Sequence, residues 1–274
     1  MRKLISSGGE EVTIPEDPER IISFSPSVTE ILYQLGMADK IVGVSAFCAR
    51  PEATRSKRRV GSYGSARREL LEELRPDLVL TISGFQRKFS DSVAERFPVY
   101  MFELPSTVAG ILDLIIRVGI VVNRIDEARE LSRELLTKVP VQTSARRLRG
   151  YLEIDLGGSV SFGSMSYITD ALYLMGVNSI YRDSNSEWLM PDDDFILRND
   201  PQIIFYEHKM YTKLSDADLQ KIVIKRKWDG TSAGKANAIF KTPGTLDYFA
   251  HHGPSFITEV MPWAMKQIES TVLG

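Results

Sequence analysis

The sequence predicts an α/β fold: two Rossmann-like lobes with mainly parallel sheets, joined by a single long helix, with a ligand cleft between the lobes. Three observations predict it. Short apolar runs alternate with amphipathic segments from residue 21 to residue 102, the pattern of a parallel sheet flanked by helices. The alternation gives way to a long helical stretch at mid-chain and then resumes. The turn after the first apolar run, Ser23-Phe24-Ser25-Pro26-Ser27, lies at the carboxyl end of a strand, where open α/β sheets receive ligands. The expected organisation is an N-terminal lobe over residues 1–124, a connecting helix over 125–148 and a C-terminal lobe over 149–274.

Residues 10–14 form a short strand that ends at Pro15. The stretch Pro15-Glu16-Asp17-Pro18 is barred from a central strand because proline lacks the amide donor. Residues 21–23 are the first core strand. Residues 28–35 are a helix closed by Gly36, which tolerates the left-handed turn of a C-cap. Ile41-Val42-Gly43-Val44 is short and apolar, as a strand buried on both faces should be. Residues 49–62 read as a loop. Helix over 67–74, strand over 77–82, helix over 90–96 and strand over 99–102 follow. Residues 107–122 are helical. Residues 125–139 begin a second, more charged helix whose Asp126 and Glu127 suit a helix N-terminus. After Arg146-Arg147, strand over 151–156 and helix over 167–175, closed by Gly176, restart the plan. Residues 179–181, 202–206 and 238–240 are further strands. Residues 192–198, 214–224 and 255–273 are helices.

A hydrophobic fraction of 43%, a charged fraction of 26% and a net charge of −2 describe an ordinary soluble protein with no nucleic-acid signature. The four cations Arg55, Lys57, Arg58 and Arg59 therefore read as a solvated connection. A single cysteine, Cys48, excludes an internal disulfide and a CxxC metal knuckle. The basic start Met1-Arg2-Lys3 is followed by Leu4-Ile5 and then polar residues, which is not a signal peptide. The expected location is extracytoplasmic, periplasmic or cell-surface, if a leader or anchor was removed, and cytoplasmic if Met1 is the native start.

Enzymatic signatures are missing. There is no GxxxxGK[ST], no GxGxxG after the first strand and no GxSxG elbow. His208, His251 and His252 are the only histidines. A Cys48–histidine pair competes with a buried, inert cysteine, the commoner behaviour of free cysteines. His251-His252 near Asp247, with Glu207 and His208, is a metal candidate weakened by the divergence of adjacent side chains. Asp192-Asp193-Asp194 lacks the spacing of a calcium loop and fits a helix start, with Asp192 as cap. No catalytic residue, cofactor or metal site is assigned. The remaining signal is a set of aromatic and basic residues at predicted strand ends: Tyr63, Arg67, Arg68, Arg87, Tyr167, Trp188, Tyr211, Tyr248 and Phe249. As a group they favour a ligand site.

The stretches EEVTIP…PERIISFSPSVTEILYQLG, IVGVS, RVGSYG and RRELLEELRPDLVL, with SYITDALYLMGVNSIYRD and DDDFILRNDPQIIFY in the second half, resemble one known group. It comprises the ABC-importer substrate-binding proteins of the cobalamin and ferric-siderophore type, the class III or cluster A periplasmic-binding fold. The resemblance covers nearly the whole chain. It implies a binding module without chemistry of its own, which captures a metal chelate, siderophore-like or corrinoid, and delivers it to an ABC permease dimer. Contact with the membrane would run only through that permease. A cytosolic relative that binds a cofactor or metal complex without transport is the alternative.

By position, the resemblance implies docking onto arginines of the permease through two carboxylates, Glu69 and Asp194, the second an aspartate where glutamate is usual. It implies ligand contact by Tyr63, Trp188 and the Asp247-Tyr248 pair, with Ser25 and Ser164 on the lips formed by residues 23–27 and 157–166. Two departures stand out. The aromatic usual after the PDLV strand appears as Ile82, and a tyrosine near Pro51 is replaced by Arg50. With Arg67 and Arg87, Arg50 adds positive charge, which suits an anionic chelate better than a corrin ring.

Overall fold

In the computed structural model, which describes residues 1–142 and 147–273, the chain forms two compact units. One comprises Met1–Pro105 with Ile111–Thr137, the other Ser106–Gly110 with Lys138–Gly274.

The first unit opens with an antiparallel hairpin, β1 (Arg2–Ile5) and β2 (Glu11–Ile14). Its main sheet is β3 (Ile21–Ser23), β4 (Ile41–Ser45), β5 (Arg58–Gly61), β6 (Leu78–Ile82) and β7 (Val99–Phe102), in the order β5-β4-β3-β6-β7 and parallel throughout. Helices α1 (Pro26–Gln34), α2 (Arg68–Leu74) and α3 (Arg87–Ala94) make crossovers, and α4 (Val108–Val121) and α5 (Ile125–Leu136) follow. Ser25 starts α1 by accepting the Val28 N–H, with Pro26 in the first turn, where its missing amide costs nothing. Ile22, Val60 and Val79 from the strands and Phe24 just after β3 pack with Leu71, Leu74, Phe89 and Val93 from α2 and α3, which seals one face of the sheet. Each such side chain contributes roughly 1.5–3 kcal/mol on burial.

In the second unit the strands are β8 (Leu148–Asp155), β9 (Ser159–Phe162), β10 (Val177–Ser179), β11 (Trp188–Leu189), β12 (Ile203–Glu207) and β13 (Ile239–Lys241). The helices are α6 (Tyr167–Leu174), α7 (Asp193–Asn199), α8 (Asp216–Lys225), α9 (Ser232–Lys235) and α10 (Met261–Leu273), the last entered through one π-helical turn. Strands β10, β8, β12 and β13 are parallel neighbours in that order, the arrangement of β4, β3, β6 and β7 in the first unit. Strands β9 and β11 extend the sheet antiparallel. A buried polar knot supports it. Arg226 holds Glu153 with two hydrogen bonds of 3.0 Å and also bonds Asp193, while Tyr151 and Ser159 donate to Glu153.

Three differences between the sequence-based elements and the structure stand out, beside β1 and α9, which were also not expected. The helix expected over 125–148 ends at Leu136. Pro140 follows, which disfavours helix at the residue before it, and strand begins at Leu148; residues 143–146, Arg146 among them, lie outside the described residues. The 49–62 loop contains β5, whose Val60 is buried. Its cations have local partners: Arg55 with Glu52, Lys57 with the Ala38 carbonyl, Arg58 with Glu73, and Arg59 with the Ser45 and Cys48 carbonyls. Strands β9 and β11 were not expected, being too short and mixed to show a period.

Candidate functional site

In the first unit the chain winds from β3 outward through β4 to β5, then returns to the other side of β3 for β6. The loops after β3 and β6 therefore flank a topological switch point, the position at which open α/β sheets bind ligands. Three aromatic rings stand at this carboxyl edge, one after each of three neighbouring crossovers: Phe47 after β4, Tyr63 after β5 and Phe85 after β6. Phe47 and Tyr63 meet edge-on with ring centroids 6.3 Å apart, and Tyr63 and Phe85 lie 6.4 Å apart at 33°. Phe85 is 82% exposed and Phe47 36% exposed. Apolar rings grouped at a polypeptide edge and left in solvent are a feature that binding, rather than folding, accounts for.

The loop that bears Phe47 is fixed from beneath. The Arg59 guanidinium donates to the Ser45 and Cys48 carbonyls at 3.0 and 2.8 Å, and Cys48 is fully buried with its sulfur against Thr29 and Ser45. Burial pushes that thiol above its ordinary range, so it is a packing residue and not a nucleophile.

The other residues expected in this unit fall as follows. Ser25 is fully buried, and its hydroxyl serves α1 and pairs with Ser27 at 3.0 Å. Arg50 is half-buried, two residues after Cys48. Arg67 is exposed at the start of α2, and its guanidinium donates to the Arg59 carbonyl. Arg87 is exposed at the start of α3. Its charge contributes, behind the Ser6 hydrogen bond, to holding the Glu10 carboxyl below its ordinary range. Glu69 is exposed in the first turn of α2 and has no hydrogen-bond or ion-pair partner among the described residues.

In the second unit, Trp188 on β11 is 55% exposed, opposite Phe162 of β9. Ser164 lines a polar cavity of about 190 Å³ with Thr169, Asp170, Asn178 and Arg182, and its hydroxyl donates to the Ser184 carbonyl. Tyr248 is only 9% exposed. Its amide donates to Glu207, its hydroxyl bonds the Glu259 carbonyl, and its ring packs edge-on against Trp263, so the structure puts it in the interior. Asp247, just before it, is half-buried, with a carboxylate oxygen 3.7 Å from His251. Glu207 is buried and accepts the Tyr248 and Phe249 N–H groups. Burial first, then the Asp247 carboxylate, push its carboxyl up to about 8 against the pull of those bonds. Burial, then His251, hold His252 down to about 3. No group of three His, Cys, Asp or Glu side chains suited to a metal ion occurs among the described residues.

The three aspartates before Phe195 have separate tasks. Asp192 caps α7 by accepting the Phe195 N–H at 2.6 Å, Asp193 pairs with Arg226, and Asp194 is exposed without a partner among the described residues. Glu69 and Asp194 occupy matching places. Each is the second residue of a seven-residue helix, and each helix ends in a left-handed cap, Arg75 at φ 43° or Asp200 at φ 44°, followed by proline and a core strand. Tyr63 and Trp188 lie at the same distance before these acids.

Phe47 and Phe85 were not among the expected site residues. The loop after β6 does carry an aromatic, three residues beyond the buried Ile82. The signal was the pair Gly84-Phe85 after an apolar strand. The positive φ of Gly84, 75°, turns the chain so that Phe85 points outward and Gln86 inward. A cavity of about 500 Å³ lies elsewhere in this unit, lined by residues of β2, α3 and β7 such as Glu11, Asp91 and Met101, and includes none of the expected residues.

Residues 21–246 match the sequence profile of the periplasmic binding protein family. The chain is 26% identical over 199 residues to the vitamin B12-binding protein of Yersinia pestis (strain Pestoides F), an alignment covering 70% of this chain and 71% of the relative. Two solved structures share the fold. The periplasmic heme-binding protein of Roseiflexus sp. RS-1 superposes with a TM-score of 0.73 at 17% identity, over 92% of this chain and 99% of the other. The ABC-type Fe3+-hydroxamate transport protein of Saccharomonospora viridis DSM 43017 superposes with a TM-score of 0.74 at 20% identity, over 99% of this chain and 98% of the other.

Proposed function

We propose that this chain, which belongs to the periplasmic binding protein family, is the substrate-binding protein of an ABC importer and captures a metal chelate of the ferric-siderophore or corrinoid kind outside the cytoplasmic membrane. The observation that carries the reading is the solvent-exposed corner of Phe47, Tyr63 and Phe85 at the carboxyl edge of the first sheet. Rings of this kind bind the apolar faces of large chelates by stacking and edge contacts, at little entropic cost. Arg50, in the loop after β4, and Arg87, at the start of α3, are cations of the same loop regions, and an anionic ferric chelate would use both rings and charge. In the second unit by itself, Trp188 and Ser164 are exposed and Asp247 is half-buried. Tyr248 packs in the interior against Trp263.

Glu69 and Asp194 are the docking carboxylates for the permease. Their exposure, lack of partners and matched positions support that role, since a first-turn acid that only served its helix would need neither. Relatives whose names record vitamin B12, heme and Fe3+-hydroxamate support a metal chelate as the ligand class. Titration of the purified chain with cyanocobalamin, hemin, a ferric hydroxamate and a ferric catecholate, followed by tryptophan and tyrosine fluorescence, tests the reading. One of them should give a saturable change, and a flat response to all four would contradict it.

A further inference from the structure

We infer that Gln86 is a positioning residue that pre-organises the aromatic corner, by tying together the three loops around the switch point of the first sheet. Its side chain is fully buried, although it directly follows the most exposed ring of the site. Its Oε1 accepts the Ile82 N–H at 2.9 Å, at the end of β6. Its Nε2 donates to the Phe24 carbonyl at 3.1 Å, after β3, and to the Tyr63 carbonyl at 2.7 Å, after β5. One amide group thus joins backbone of three loops that are far apart in sequence and neighbours only at the carboxyl edge.

The chemistry requires this side chain. The task needs one acceptor and two donors at the end of a two-carbon stem. Glutamate would offer acceptors without the paired donors, and methionine would fill the space with neither. Two of the bonds reach carbonyls of the loops after β3 and β5, and the third ends on the last residue of β6, beyond the paired residues Ile21–Ser23 and Leu78–Leu80, so their loss would free the loops while leaving that ladder intact. Tyr63 is the residue most directly affected, because its own carbonyl is held and its ring has Phe47 on one side and Phe85 on the other. A site held in its bound arrangement avoids the ordering cost of binding. A site populated only part of the time loses affinity in proportion, and the loss appears in association rather than dissociation.

The inference rests on the proposed ligand site, and the experiment separates the two. Stopped-flow binding of whichever of the four probes named above the chain takes up is compared for wild type, Gln86→Met and Phe85→Ala. Gln86→Met should slow association about tenfold and leave dissociation within about threefold. Hydrogen exchange should accelerate across residues 61–66 and 82–86 in the free variant and return to the wild-type level when ligand saturates it. A general loss of structure would not be repaired in this way. Unchanged association with Gln86→Met, alongside weakened binding by Phe85→Ala, would overturn the role of Gln86 and leave the site standing. Unchanged binding by Phe85→Ala would overturn the site itself. Should Gln86→Met not fold, or should no probe bind, the wild-type chain still decides. The Ile82 amide should exchange as slowly as the amides of the β6 interior, and fast exchange there would overturn the inference.

Discussion

The side-chain nitrogen of Gln86 lies 2.7 Å from the carbonyl oxygen of Tyr63, 23 residues earlier in the chain. A ring that the sequence puts in a loop is therefore held by the next loop of the same sheet edge.

The Arg226–Glu153 pair gives a stability prediction. Glu153 is almost completely buried and receives two guanidinium hydrogen bonds in addition to those from Tyr151 and Ser159. Arg226→Ala would leave that carboxylate unpaired in the interior and should cost about 3–5 kcal/mol in urea unfolding of the second unit. Asp193→Asn removes only the half-exposed partner and should cost no more than about 1 kcal/mol.

Glu207 and His252 predict opposite limbs in the pH profile of stability. Glu207 has its pKa raised to about 8 in the fold, so the folded chain holds a proton that the unfolded chain releases above about 4.5. Its contribution is complete below the unfolded value and is lost as pH rises toward 8. His252 is held down to about 3, so its contribution is present above about 6.5 and is lost as pH falls toward 3. Glu207→Gln should therefore gain stability over wild type as pH rises from 5 to 8, and His252→Gln should gain as pH falls from 6.5. Thermal melts across pH 4–9 would show both. Parallel profiles for wild type and Glu207→Gln would contradict the burial of a titrating carboxyl.

Glu69 and Asp194 predict a separation of binding from delivery. Glu69→Lys and Asp194→Lys lie on exposed first turns and should change stability by no more than about 0.5 kcal/mol. Ligand affinity should stay at the wild-type value while uptake through the chain's own importer falls by tenfold or so, as expected when like charges meet across an interface. Asp194→Glu should retain uptake. Loss of ligand affinity with either reversal would contradict the docking assignment.

Much of this was legible in the sequence where local chemistry decides the outcome. Gly36 and Gly176 end the first helix of each unit, and the short apolar runs form buried parallel strands, while α1 starts at Pro26, two residues before the expected 28. Glu69 and Asp194 were singled out through the resemblance, whereas Trp188 was already marked by its place at a predicted strand end. What was not legible depends on contacts between distant segments. The cations of residues 55–59 looked like a solvated loop, because Val60 alone shows the buried side of β5. Tyr248 looked like a ligand residue, because nothing local reveals Trp263 and Glu207 beside it. Phe47 and Phe85 were passed over for the opposite reason: an isolated phenylalanine next to a turn reads as core until the strand order brings it beside two others.

If the aromatic corner takes the ligand, its loss must show in affinity. The most direct measurement is calorimetric titration of the chain and of its Tyr63→Ala/Phe85→Ala double variant with the probe that binds the wild type. Phe85 is exposed and Tyr63 half-buried, so the double variant should fold and melt close to wild type. Removal of two anchor rings should weaken binding by roughly 2–4 kcal/mol, at least thirtyfold or so. Wild-type affinity in a folded double variant would contradict the account.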